Sequence, residues 1–183
     1  DSLKYYYTLD QYMATNLDID GVLLPSTAVQ LKGNSSYFSY PGDKKSMNLD
    51  FNNYITTQDF EGLNKLNLNN CFKDPTLLRE KIFLEFCKRN DIPAPRCTFA
   101  KVYINGEYWG LYSVVEQVNK SFCEIQFGDK SGNLFKGDPQ GSLVWKGSSA
   151  VNYYNDYELK TNETVNDWSD LVHLIDKINN STS

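Results

Sequence analysis

Polar and apolar residues alternate through Ser46, Met47, Asn48, Leu49, Asp50 and Phe51, the period of a half-buried strand. Leu66 and Leu68 alternate with asparagines in the same way, predicting a short strand or an extended sheet edge. Upstream, Ala28–Lys32 reads as a strand that ends at Gly33-Asn34-Ser35-Ser36, and a loop rich in Tyr, Ser, Pro and Gly runs on to Asp43. The period then changes. Leu78, Ile82 and Phe86 recur every four residues, and Phe83 widens the stripe into the apolar face of a helix. Asp74-Pro75 is its predicted start, because the carboxylate accepts from orphan N–H groups and proline fits the first turn. Asn90-Asp91 and Pro93-Ala94-Pro95 end it. Two strand-like runs, Phe99–Ile104 and Tyr108–Val115, flank Asn105-Gly106, whose readiness for positive φ at both positions marks a β-hairpin.

The second half is less regular. A short helix is expected over Asn119–Phe127 and a strand over Asn133–Lys136. A Gly/Ser-rich loop carrying Trp145 fills 137–149. The last helix is capped by Asp167 and shows Leu171, Leu174, Ile175 and Ile178 on one face. The segment Leu3–Leu17 is polar-aromatic and reads as starting in helix. Together these give an α+β fold, an antiparallel sheet with packed helices. It is one domain over 1–183, with an unassigned leader at 1–27, a sheet-plus-helix lobe at 28–136, and a loop leading into a second lobe at 137–183.

Composition narrows the function classes. The 183 residues carry 18 basic and 23 acidic side chains, a net charge of −5, so no global field attracts nucleic acid. No run reaches the roughly 20 apolar residues of a membrane helix. The chain begins at Asp1 without an initiator Met or a leader, and reads as a mature or excised piece. Cys71, Cys87, Cys97 and Cys123 have no zinc-pair spacing. Either a Cys87–Cys97 bridge or buried free thiols fits them. Sequons at Asn34, Asn119, Asn162, Asn179 and Asn180 matter only in a eukaryotic secretory pathway.

Candidate chemistry comes down to a short set of residues. The only histidine, His173, lies inside the last helix, which leaves a Ser-His-Asp triad without its base. No Walker loop is present. The order strand, loop, strand, helix, hairpin is similar to the N-terminal lobe of a protein kinase, where a strand lysine holds nucleotide phosphates and pairs with a helix glutamate. On that pattern Gly33, Asn34, Ser35 and Ser36 form the covering loop. Lys44 or Lys45 is the strand lysine, with Lys45 preferred, and Glu80 is its helix partner. Glu116-Gln117-Val118 is the hinge that meets adenine, with contacts at Glu116 and Val118. Each residue also has a plain reading: a solubilising lysine pair, an exposed helix ion pair worth about 0.2–0.5 kcal/mol, a polar-faced edge strand at Asn64–Asn70, and Gly106 and Gly110 as hairpin glycines.

The ordered set of segments resembles the CotH family of atypical secreted protein kinases over about residues 28–180. The matching pieces are Gly33–Ser36, Lys44–Ser46, Leu66–Asn69, Asp74 with Leu78-Arg79, Pro93–Arg96, Val102–Glu107, Gly110–Glu116 and Asn133–Gly137. The resemblance implies transfer of phosphate from ATP with Mg to Ser or Thr of secreted or coat proteins, outside the cell or at a spore surface, with dockerin and cellulosome contexts among the family's settings. It also implies that the family's catalytic and metal-binding aspartates, in Asn-Leu-Asp and Pro-Trp-Asp segments, fall beyond Ser183. No catalytic or metal residue is then expected in this chain, and the fragment is expected to be inactive. Two other readings stay open. One is a secreted structural or adhesive module of a coat, cell surface or cellulosome, using surface tyrosines such as Tyr5, Tyr37 and Tyr153. The other is a carbohydrate-binding module using Trp109 and Trp145.

Overall fold

The computed structural model describes residues 2–33, 35–138 and 140–181. The chain divides into two compact units, Asp1–Gln117 and Val118–Ser183. In the first, α1 (Ser2–Thr8) is followed by β1 (Met13–Ile19), β2 (Val22–Lys32), α2 (Ser35–Phe38), β3 (Ser46–Asp50), β4 (Lys65–Asn69), α3 (Arg79–Arg89), β5 (Cys97–Ile104) and β6 (Glu107–Glu116). The strands form one antiparallel sheet in the order β1-β2-β3-β4-β6-β5. The fold is α+β, as the sequence indicates. The segment left as a leader supplies α1, β1 and part of β2. The helix expected from Leu3 onward stops at Thr8. Asp20 and Gly21, both at positive φ, turn β1 into β2, as Asn105 and Gly106 turn β5 into β6.

Directly opposed residues in a sheet share a face. Leu31, Met47, Leu68 and Val114 are mutual partners across four strands and make one apolar row, joined by Val29, Leu49 and Leu66. Phe51 and Tyr112, both 0% exposed, complete this core. The opposite face carries Gln30, Lys32, Ser46, Asn48, Asp50, Lys65, Asn67, Asn69 and Ser113 by the same register. β4 is therefore an interior strand between β3 and β6, and not a sheet edge.

The helix α3 departs from expectation in two ways. It begins at Arg79, since Lys73 and Leu77 sit at positive φ and break the first turn predicted from Asp74. Asp74 still serves as a cap from a distance. Its carboxylate accepts from the Thr76 N–H and hydroxyl, and from the Arg79 N–H at 2.9 Å. The predicted apolar stripe also points outward, with Leu78, Ile82, Phe83 and Phe86 between 45% and 64% exposed. The face turned to the sheet carries Glu80 and buried Cys87, because the strands beneath offer Asn69 and Ser113 and not leucines.

In the second unit, Asn119 caps α4 (Lys120–Phe127) by accepting from the Phe122 N–H, and Gly128 in the left-handed region ends it. A two-stranded sheet pairs β7 (Phe135–Gly137) with β8 (Tyr157–Leu159), and α5 (Ser169–Asn180) follows. Its core is Tyr153, Tyr157, Trp168, Leu171 and Ile175. The N-cap of α5 is Trp168 and not Asp167 as expected, though Asp167, one residue ahead of it, accepts from the Ser169 N–H at 2.9 Å. Only half of the predicted helix face is buried: Leu171 and Ile175 pack, whereas Leu174 and Ile178 are 52% and 56% exposed. Among the described residues no helix is long and apolar enough to cross a membrane.

Candidate functional site

The polar face of the first unit's sheet gathers a connected set of amides and charges. The Lys32 ammonium donates to Asn67 Oδ1 at 2.7 Å and to Asn69 Oδ1 at 3.3 Å. Asn69 turns its amide NH2 onto the Glu80 carboxylate, at 2.8 and 3.0 Å, and Ser113 Oγ donates to Glu80 at 2.6 Å. Asn67 Nδ2 donates to Gln117 Oε1 at 2.8 Å, and Asn48 Nδ2 reaches Asn67 Oδ1 at 3.2 Å. Tyr12 closes the set by donating to Asn48 Oδ1 at 3.0 Å, and burial raises the pKa of its phenol. At the far end of the same face, Asp50 and Lys65 form an ion pair at 2.6 Å, and Asp50 Oδ1 is buried without a partner.

Strand alternation puts these residues together. In Lys65-Leu66-Asn67-Leu68-Asn69 every second residue is apolar, so burying the leucines in the core turns Lys65 and both asparagines to the other face. Val29-Gln30-Leu31-Lys32 does the same two strands further out. Lys32, Asn48, Asn67 and Asn69 are not among the site residues expected from the sequence, although this alternation marks the face that carries them, and Gln117 is expected there only as part of the hinge segment.

The predicted site residues fall in several places. Glu80 lies in the amide network. Lys45, which was expected to pair with it, does not reach it. The Lys45 ammonium instead donates to the carbonyls of Tyr37 and Tyr40, at 2.6 and 2.7 Å, and lies over both rings. It holds the loop between β2 and β3 from beneath. Lys44 lies over the Tyr112 ring, with Nζ 3.5 Å from the Asn70 carbonyl. Gly33, at positive φ, accepts from the Tyr7 hydroxyl at 3.0 Å, and a Cβ there would meet Ser36 Oγ. Ser35 and Ser36 begin α2, and Asn34 lies outside the described residues. Glu116, 4% exposed, is committed to Arg96 through two side-chain contacts at 3.2 Å. Val118 opens the second unit. The Lys45→Ala variant should lose about 1–3 kcal/mol of stability, because two carbonyls lose their donor. Urea denaturation measures this, and an unchanged midpoint would show that the loop does not depend on the lysine.

All four cysteines are free thiols. Burial, reinforced by the nearby Glu80 charge, pushes the Cys97 thiol up to about 11, which keeps it protonated and unreactive at neutral pH. Among the described residues no three His, Cys, Asp or Glu side chains stand close enough together to hold a metal ion.

Comparison with known proteins agrees with the resemblance read from the motifs. The inner spore coat protein H of Bacillus subtilis (strain 168) is 34% identical over 79 residues, which is 43% of this chain and 21% of that protein's length. The aligned stretch thus spans about a fifth of the relative. The family model described as CotH kinase protein matches residues 29–183, most of the sequence and both compact units. The chain belongs to the CotH kinase protein family.

Proposed function

We propose that the polar sheet face binds the phosphates of ATP, and that the chain is the nucleotide-binding part of a CotH-type kinase that phosphorylates Ser or Thr of coat proteins at a spore surface. The observation that carries this reading is the linkage Lys32–Asn69–Glu80. A kinase lobe needs a strand lysine aimed at phosphate and steadied by a glutamate on the following helix. Here the strand is β2, the helix is α3, and the Asn69 amide bridges the two charges, its oxygen toward Lys32 and its nitrogen toward Glu80.

The donor chemistry suits a polyphosphate. An ammonium flanked by amide N–H groups makes charge-assisted hydrogen bonds to phosphate oxygens, and amides can re-aim without changing charge. Asn67 and Asn69 meet Lys32 with their oxygens, and their N–H groups, directed to Gln117 and Glu80, would turn to reach a phosphate beside it. The same face does not fit a protein-held Mg²⁺: among the described residues its carboxylates stand apart, Glu80 accepting from Asn69 and Ser113, Asp50 paired through one oxygen with Lys65, and Asp10 accepting from Gln30. No step is assigned to the metal.

The test is equilibrium dialysis of the chain against labelled ATP with Mg. Saturable binding by the wild-type chain that is lost in Lys32→Ala supports the reading. Equal binding by the variant would remove the assigned role of Lys32, and no saturable binding by the wild-type chain would overturn the reading. A second reading, an assembly module of the coat, rests on the outward stripe of Leu78, Ile82, Phe83 and Phe86, which is larger than isolated surface residues would give.

A further inference from the structure

The apolar face of the first unit's sheet is not filled by its own side chains. A cavity of about 360 Å³ lies against it, with a floor of Val29, Met47, Leu49 and Leu68, each less than 9% exposed. Leu3 of α1 and Ile104 at the hairpin end are also in the lining. A second hollow of about 90 Å³ shares Leu3, Met47 and Ile104 with it. The space is open to solvent on one side, so it is a hollow in the sheet face and not a packing void of the interior. It lies within the range of small-molecule sites.

Two features point to the occupant. Among the described residues no Asp, Glu, Lys, Arg or His lines the larger cavity, and its polar groups are the neutral Ser2, Thr15, Asn16, Tyr103 and Asn105. The adjoining hollow does carry Lys4, Asp43 and Lys45, but Lys4 and Asp43 pair with each other and Lys45 donates to the Tyr37 and Tyr40 carbonyls. A charged ligand would enter without a counter-charge, whereas an uncharged hydroxyl or amide head finds hydrogen-bond partners. In addition, the sequence has two methionines, and both of them, Met13 and Met47, line this space. Their flexible thioethers adapt to a variable apolar shape. We infer that this cavity binds a single aliphatic chain bearing an uncharged polar head. It is on the opposite face of the sheet from the Lys32 network and is independent of it.

The experiment uses the full chain labelled with ¹³C at the methionine methyl groups, which gives two signals that both report on the cavity. Titration with 1-decanol should move both signals to a saturating end point at one equivalent bound. Decanoate should bind at least tenfold more weakly. Thr15→Trp, which fills the cavity at its polar rim, should abolish the saturable shift while the methyl signals keep the dispersion of a folded protein. Should that variant unfold, Leu17→Phe occupies the same space from the next inward position of β1. Signals that stay fixed, or drift without saturation up to the solubility of decanol, would overturn the site. Binding unchanged in a folded filling variant would do the same, and equal affinity for decanoate would overturn the uncharged head.

Discussion

Lys32→Ala is expected to abolish the stabilisation that Mg·ATP gives the wild-type chain. A ligand at about 100 times its Kd stabilises a folded protein by about 2.7 kcal/mol, which is easily seen in a melt. Lys32 is the ammonium of the amide network, held by Asn67 and Asn69 at the end of β2. Removing it takes away the cation and leaves neutral amides, which bind phosphate far more weakly. The cost to the unliganded protein should be small, about 1 kcal/mol for the lost hydrogen bonds. The two effects are therefore separable in one set of melts with and without nucleotide. Lys45→Ala is the contrasting variant. Its ammonium is spent on the Tyr37 and Tyr40 carbonyls, so that variant should be less stable yet keep its response to ATP.

Phe51→Ala should have the largest effect on stability, about 3–5 kcal/mol, as expected for emptying a fully buried aromatic site. Phe51 is 0% exposed and its ring lies 6.2 Å from that of Phe60. Its N–H donates to the Asn64 carbonyl and its own carbonyl accepts from Gln58, so the backbone cannot easily collapse into the hole. A loss of that size is a large share of the 5–15 kcal/mol that holds a typical domain together. Phe86→Ala removes the same side chain from the outer face of α3, where it is 58% exposed, and should change stability by at most about 0.5 kcal/mol. Urea denaturation of the pair measures both. Equal losses would show that the α3 stripe is covered in solution.

Local chemistry was legible and facing was not. Asn105-Gly106 announced its hairpin because turn type depends on two residues alone. Asp20-Gly21 turns β1 into β2 with the same pair of positive φ values, in a segment from which the sequence suggests only a helix start. The strand at Ser46–Asp50 and the short helix expected over Asn119–Phe127 are likewise local. The stripe on α3 had the right period, yet periodicity does not say whether a face meets a core or solvent. The strands below presented amides, and Glu80 satisfied them better than Ile82 or Phe86. Lys45, the preferred strand lysine, lies in the loop just ahead of β3 and turns onto loop carbonyls. Lys32 lies on a strand whose alternation with Leu31 and Val29 directs it to the polar face. The family resemblance needed none of this facing information, because it rested on the order of short segments, and it matches the span 29–183.

The central claim is that nucleotide binds on the amide-lined sheet face. The most direct measurement follows the side-chain NH2 signals of Asn48, Asn67, Asn69 and Gln117 by NMR while Mg·ATP is titrated into the wild-type chain. Binding on this face predicts saturable shifts of those amides and of the Lys32 ammonium, with the tyrosines around Lys45 unmoved. Shifts confined to the Tyr37–Tyr40 loop, or an unperturbed amide set at millimolar ATP, would contradict it.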